Sequence, residues 1–485
     1  MPTITDMQPQ LLWKHFEIIS KIPRCSKHEE EIAQHIMAFA KELGHDVIQD
    51  EAGNVIVRKF PAEGMENAPT VILQGHMDMV CEKNNDVDHD FQQDPIQLDV
   101  RDKYLYAKGT SLGADDGIGV ATMLAVLESK FVSHGPLEML FTVDEETGLT
   151  GAFQLSSTLL KGKILINLDS EEDGTIYIGC AGGGGTNITL SLEATATPLG
   201  MDSIRFTVHG LSGGHSGVDI HEQRGNAVKI LARVLRELNS ELPITMTNIF
   251  GGDKHNAIPR EAYAEFLVEK EKTEAVMEFL DKMLEVVKPE YQPREPNLAF
   301  KVEVMERRAK DCWLRKTTDR VLDLLCALPN GVLKMNYDIP ELVETSTNLA
   351  FIKVEDGALK LHMSTRSSVG SELEKVTGSI EAIAALSGAE AQHEDPYPGW
   401  QPNLDSKLLA KAIEVYKELF DKEPEVKAIH AGLETGIIGE KFPGMDMISI
   451  GPQIEHPHSP DERVEIPTVE KFWNFTVGLL ENIKE

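Results

Sequence analysis

Apolar and polar positions along the chain fall into two regimes. In the first, short apolar runs bounded by turn residues alternate with segments of helical spacing. Thr70–Gln74 (TVILQ), Met139–Val143 and Lys163–Leu168 (KILINL) carry too few polar positions for a strand with one wet face. Each reads as a strand buried on both faces. Val120–Leu127 is apolar and alanine-containing and follows the glycine-rich stretch Gly109–Gly119, a pattern that predicts a loop and then a helix. Upstream, Gln8–Leu43 reads as helices broken at Ile22-Pro23-Arg24, and His45–Lys59 as strand, turn and strand around Ala52-Gly53-Asn54. Strands alternating with helices predict an α/β architecture: a largely parallel sheet with helices on both faces.

The second regime follows Ile178–Thr186 (IGCAGGGGT). This run lacks the GKS or GKT and the helix start of a phosphate loop, so it is read as a linker and hinge between domains. Beyond it, Ile204–Val208 alternates, Ala262–Val268 reads as a strand, and Gly225–Leu238, Glu271–Val287 and Gly370–Leu386 read as helices. Phe351–Val354 and Leu359–Ser364 predict a hairpin about Asp356-Gly357. The expectation is an α+β layer. A proline-rich return, His393–Asn403, leads to a helix at Ser406–Phe420, an apolar strand at Met445–Ile450 and a last helix from about Thr468 to Ile483. The expected organisation is a catalytic domain in two segments, 1–183 and 399–485, with a lid domain, 184–398, inserted between them.

Length supports more than one domain, since 485 residues exceed one ordinary core. A hydrophobic fraction of 41% and a charged fraction of 26% are those of a globular protein. The net charge of −32 opposes binding to nucleic acid or to anionic membranes, and no apolar stretch is long enough to span a bilayer. The cysteines, Cys25, Cys81, Cys180, Cys312 and Cys326, are odd in number and form no CxxC pair, and no signal peptide precedes them. A cytoplasmic, reducing location is expected, with neither a disulfide framework nor a cysteine zinc site.

The candidate chemistry gathers at predicted strand ends, where ligands of parallel sheets collect. Gly75-His76-Met77-Asp78 follows the first buried strand, Asp144-Glu145-Glu146 the second and Asp169 the third, while Asp115 and Asp116 open the predicted helix. His456 and His458 follow the last strand in IEHPHSP. Carboxylates at the end of a buried strand are expensive unless a cation compensates them. In His-x-Asp, the carboxylate of Asp78 can orient the imidazole of His76. Nitrogen and oxygen donors of this kind suit zinc, with manganese or cobalt as substitutes. Asp115 and Asp116 also fit a helix cap.

GHMD, GADDGIG, FTVDEETGL, INLDSEE and PHSP occur in this order. They resemble the motifs of the dinuclear zinc exopeptidases, the family that includes glutamate carboxypeptidase, tripeptidase T and carnosinase. GGHSG, HNAIPR, HAGLETG and GPQIEHPHSPDE look closer still to its aminoacyl-histidine dipeptidase branch. The resemblance covers nearly the whole chain. It implies two zinc ions, one held by His76, Asp115 and Asp169 and the other by Asp115, Glu146 and His458. It implies Glu145 as general base, Asp78 as the partner of His76, and a cis peptide between Asp115 and Asp116. His215 would stabilise the oxyanion, and Asn256 and Arg366 would grip a substrate carboxylate. The implied activity is hydrolysis of dipeptides with a free C-terminal carboxylate, Xaa-His and β-alanyl-histidine among them, by a homodimer. The chain departs from the wider family at Asp115-Asp116-Gly117, where a lysine often follows the bridging acid. Rival readings are a tripeptidase or an N-acyl amino acid amidohydrolase on the same fold, or an inactive metal-binding protein, against which the intact Glu145 speaks.

Overall fold

The computed structural model describes residues 4–484. The chain divides into two compact units, each with its own sheet. The first unit comprises the chain up to Cys180, Trp400–Ala428, and everything from Leu433 on; the second comprises Ala181–Gly399 and Ile429–Gly432.

Among the described residues, the first unit is built on an eight-stranded sheet. Its four central strands run in the order Leu137–Thr142, Val71–His76, Ile164–Asn167, Asp446–Ser449, all parallel. Strands Val55–Lys59 and Thr175–Cys180 flank them antiparallel. All residues of Val71–His76 and Leu137–Thr142 are buried, as their apolar sequences demand. Helix Ala114–Glu128 is buried along almost its whole length, because no stripe of it is polar. It packs against helix Gln10–Ile19, which buries Leu12, Trp13, Phe16 and Ile19 at helical spacing. Each such side chain contributes roughly 1.5–3 kcal/mol of burial.

The register decides where the chemistry falls. His76 pairs with Thr142, and Gln74 with Asn167. The residues just beyond, Met77–Asp78, Glu145–Glu146 and Asp169, therefore emerge at one edge of the sheet. Beneath them lies a buried polar layer. Asn167 donates to Gln74 Oε1 at 2.7 Å, and Gln74 and Thr142 both donate to Glu434 Oε2 at 2.6 Å.

The second unit contains a nine-stranded sheet among the described residues. Its centre pairs Val343–Glu355 with Ala358–Ser367, and the latter with Gly182–Ser191. The expected hairpin at Asp356-Gly357 is present, with Glu355 opposite Ala358. Helices Ala227–Glu241, Thr273–Tyr291 and Gly370–Leu386 bury their apolar stripes in this unit's core. The glycine run read as a linker is strand: Gly182–Gly185 pair with Ser367–Ser364. Glycine is required there by close approach. A Cβ on Gly182 would lie 2.5 Å from the carbonyl oxygen of Tyr397, and one on Gly183 at 2.5 Å from its hydroxyl.

Two further observations concern side chains. Cys25 and Cys81 are joined by a disulfide, which corrects the expectation of none. The pair is 56 residues apart in sequence, and a parallel bridge between Cys25 and Met79 brings it together. Among the described residues, no helix is long and apolar enough to cross a membrane.

His15 offers a test of the packing between the two helices. It is buried and meets Glu128 Oε2 at 2.8 Å. Burial pushes its pKa down to about 4, against the partial support of Glu128. Between the ordinary value near 6.5 and 4, the unfolded chain binds a proton that the folded chain refuses. Stability is therefore lost as pH falls through that window, by up to about 3 kcal/mol. His15→Gln should flatten this part of the curve. Denaturant unfolding of both proteins from pH 7 to 4 measures it, and parallel curves would refute the assignment.

Candidate metal centre

The turn after strand Leu137–Thr142 determines how two adjacent glutamates serve one place. Asp144 adopts a left-handed conformation (φ 52°), and a short helix, Glu145–Gly148, starts at once. Strand alternation, which would send neighbours to opposite faces, has ended. Asp78 holds this turn: its Oδ1 accepts the amide of Glu145 at 3.0 Å and its Oδ2 that of Glu146 at 3.2 Å. The same carboxylate lies 3.3 Å from His76 Nδ1 and accepts from Ser26 Oγ at 2.8 Å. Asp78 thus fastens the backbone of the paired glutamates and sets its charge beside the imidazole, a wider task than orienting one ring.

On the other side of His76, Nε2 lies 3.1 Å from Asp115 Oδ1 and 3.3 Å from Asp169 Oδ1. His458 Nε2 lies 3.1 Å from Asp115 Oδ2 and 2.9 Å from Glu146 Oε2. Asp115 therefore stands between the two histidines, one oxygen toward each. His456, the rival on the same loop, is not in this group; its carbonyl accepts from Ser459 Oγ. Asp115 and Asp116 divide the two readings of their motif between them. Asp116 is the cap, accepting the amide of Gly119 at 3.1 Å, while Asp115 faces the histidines. The peptide between them is cis.

The electrostatics are those of carboxylates without enough cations. Burial opposes a charged His76, but Asp169, Asp115 and Asp78 outweigh it and hold its pKa well above the ordinary value. Hydrogen bonds to Asp115 and Glu146 raise His458 to about 11. Burial raises Glu145, and the charges of Asp169, Glu146 and Glu434 add to it. Among the described residues, no lysine or arginine lies within 4.0 Å of the carboxylates of Asp115, Glu145, Glu146 or Asp169. The buried Glu146 Oε1 has no hydrogen-bond partner there.

Two sets of three donors, His76 with Asp115 and Asp169, and Asp115 with Glu146 and His458, have their ligand atoms within 4.8 Å of one another. Nitrogen and oxygen donors, an orphaned carboxylate oxygen and a surplus of negative charge all fit a pair of divalent cations sharing Asp115.

His215, Asn256 and Arg366 belong to the second unit. The segments of His215 and Asn256 pair there, with the amide of Ser216 donating to the Asn256 carbonyl at 2.8 Å. Arg366 Nε and His215 Cε1 each come within 3.1 Å of where a Cβ on Gly217 would stand. Arg366 is buried and donates from Nη1 to the Tyr397 hydroxyl at 2.9 Å, while its Nε has no hydrogen-bond partner among the described residues. His215 Nδ1 accepts the amides of Gly217 and Val218 at 3.2 and 3.0 Å. That bonding leaves the ring proton on Nε2.

Sequence reasoning left several residues without a role. Glu434 lies in the polar layer, and burial raises its pKa to about 8. Its motif, HAGLETG, was visible, but nothing local connects it to Gln74, 360 residues away. Arg24 and Glu462 likewise act on the loop before Asp115 through contacts distant in sequence.

A mixed α/β sheet with His76 and several acids at its strand ends, joined by Asp115 from a helix start and His458 from a loop, has the form of a metal-dependent hydrolase. Residues 72–482 match peptidase family M20/M25/M40, and the chain belongs to that family. It is similar to the cytosol non-specific dipeptidase of Escherichia coli (strain K12), 42% identical over 484 residues, which covers 100% of this chain and 99% of the relative. It is also similar to the crystal structure of aminoacylhistidine dipeptidase from Vibrio alginolyticus: 43% identity, TM-score 0.93, 99% of this chain and 98% of that one covered. The aminopeptidase PepT structure from Bacillus cereus shares the fold at 17% identity and TM-score 0.57, covering 99% and 100% of the two chains. The likeness to aminoacyl-histidine dipeptidases read from the motifs is borne out.

Removing cations from such a cluster leaves buried carboxylates whose donor atoms lie within 4.8 Å of one another to repel. Exhaustive chelation should therefore lower the thermal midpoint by several degrees, and added zinc should restore it. A ligand at a thousand times its dissociation constant contributes about 4 kcal/mol. Scanning calorimetry beside metal analysis checks this; an unchanged midpoint in verified metal-free protein contradicts the metal centre.

Proposed function

We propose that this chain hydrolyses dipeptides with a free C-terminal carboxylate, Xaa-His dipeptides including β-alanyl-histidine among them. The observation that carries this reading is the full-length likeness to the E. coli dipeptidase, joined to a pair of donor sets sharing Asp115. His76, Asp115 and Asp169 would hold one cation and Asp115, Glu146 and His458 the other. Two zinc ions, with manganese or cobalt as substitutes, would supply Lewis-acid activation of the attacking water and the scissile carbonyl.

The remaining work falls to the chain's own groups. Glu145 takes the proton of the attacking water and later delivers it to the leaving amine, which must depart neutral. Asp78 keeps His76 and the backbone of Glu145 and Glu146 in one arrangement. His215, with its proton on Nε2, has the donor needed for a developing oxyanion. Arg366 would offer its planar fork to the substrate carboxylate, which Asn256 would also bind. A hinge where the chain passes between its two units, and lid closure about it, belong to the same reading. So do a homodimer and a cytoplasmic location.

Initial rates on Xaa-His dipeptides, tripeptides and N-acyl amino acids, with and without chelator, test the substrate class. Dipeptides should be preferred and chelator should abolish turnover. Preference for either other class replaces the reading with a tripeptidase or an amidohydrolase, and no turnover of any replaces it with a binding protein. Two variants separate the neighbouring glutamates. Glu145→Gln should lose at least about 10²-fold in kcat with both metals retained. Glu146→Gln should lose metal. Metal stoichiometry measured beside steady-state kinetics decides, and a fully active Glu145→Gln would end the role given to Glu145.

A further inference from the structure

The loop that leads to Asp115 turns its amides inward on one carboxylate. Glu462 Oε2 accepts from the amides of Leu112 and Gly113 at 2.7 and 2.9 Å, and Oε1 from those of Ala114 and Asp115 at 2.7 and 3.4 Å. A carboxylate has about four lone-pair sites, and here all are directed at consecutive backbone groups. Glu462 is 2% exposed. Gly113 has a φ of 68°, which opens the loop into this cradle.

The opposite side of the same loop is held by a cation. Arg24, 3% exposed, donates from Nη2 to the Gly113 carbonyl and from Nη1 to the carbonyls of Met77 and Asp78, at 3.1 and 2.9 Å. The loop before Asp115 is thus fastened through its donors by Glu462 and through an acceptor by Arg24, which also grips the segment after His76.

Glu462 arrives from a particular direction. It lies four residues beyond His458 on one loop, with its amide donating to the Ser459 carbonyl at 3.1 Å. The next residues, Arg463–Glu465, form a strand paired with Tyr104–Ala107, just upstream of the loop it holds. One short segment therefore reaches Asp115 twice, by the His458 ring at its side chain and by Glu462 at its backbone.

We infer that Glu462 is a positioning residue for Asp115, fixing the bridging carboxylate between the two donor sets before any cation arrives. The inference rests on the proposed sharing of Asp115 by two cations. Without the Glu462 carboxylate, inward amides lose their acceptor and the loop must open, turning Asp115 from the histidines. Glu462→Gln keeps the shape, but its amide nitrogen meets two N–H donors and can accept from neither. Losing an outer hydrogen-bond partner of a ligand typically weakens metal binding by about 10–100-fold.

The test is a competitive chelator titration with zinc on apo full-length protein, wild type beside Glu462→Gln, with circular dichroism to establish that both are folded. The expected result is two sites in the wild type and, in the variant, zinc affinity weakened by about 10–100-fold. Turnover of the variant should recover as zinc is raised, with KM little changed, whereas the loss in Glu145→Gln should not respond to zinc. Equal zinc affinities in wild type and variant overturn the inference while leaving the proposed function intact. A wild type that binds no divalent cation overturns both. Where Glu462→Gln does not fold, Glu462→Asp takes its place: it keeps the charge but withdraws it by one methylene. Its zinc affinity should then fall between those expected of wild type and Glu462→Gln, and an affinity equal to wild type overturns the inference.

Discussion

Buried carboxylates at about 3 Å from one another's partners constrain everything around them. Asp115, Glu146 and Asp169 share only two imidazoles, and Glu145 adds a further acid. Such a group is unfavourable in a dry interior unless cations compensate it. The surrounding structure supplies rigidity rather than countercharge. Asp78 spends its oxygens on the amides of the glutamates, and Glu462 spends its own on the loop of Asp115. Arg24 is cationic and near, yet its hydrogen bonds go to carbonyls. The protein withholds its own positive charge from the place where an external one fits.

This arrangement depends on the sheet beneath. Parallel strands bring their carboxyl ends to one edge, and register sets Met77–Asp78, Glu145–Glu146 and Asp169 side by side. Gln74, Thr142 and Asn167 precede those ends and are themselves buried, joined by Glu434 into a polar layer. Hydrogen bonds among buried groups couple them, because moving one strands its neighbours, although Glu434 Oε1 has no partner among the described residues. The donor atoms above it therefore inherit the rigidity of the sheet.

Much of this was legible along the chain. Buried strands announce themselves by continuous apolar runs, and the acids that end them are conspicuous because burial makes them costly. What remained open was conformation and distance. Asp115 and Asp116 are the same residue type at neighbouring positions; only the backbone turn sends one to a cap and the other to the histidines. His456 and His458 are separated in the same way. Glu462 and Arg24 act across separations no periodicity records. The glycine run misled as a linker because the pressure for small residues came from Tyr397, more than two hundred positions on. Cys25 and Cys81 lacked the short spacing that marks paired cysteines and met only through the bridge beside Met79.

The strand Asp446–Ser449 has a consequence for how this chain is made. It lies between Ile164–Asn167 and Thr175–Cys180, two strands finished long before it in sequence. The ribosome adds about 5–20 residues per second, so some 270 residues separating them amount to roughly 14–54 seconds of synthesis. Throughout that interval the strand that fills this place in the sheet has not been made. His458, only nine residues beyond the missing strand, is absent with it. A nascent chain holds His76, Asp115, Glu146 and Asp169 but not the last donor or the loop that carries Glu462. The full group of candidate donors is therefore present only when almost all of the polypeptide has emerged.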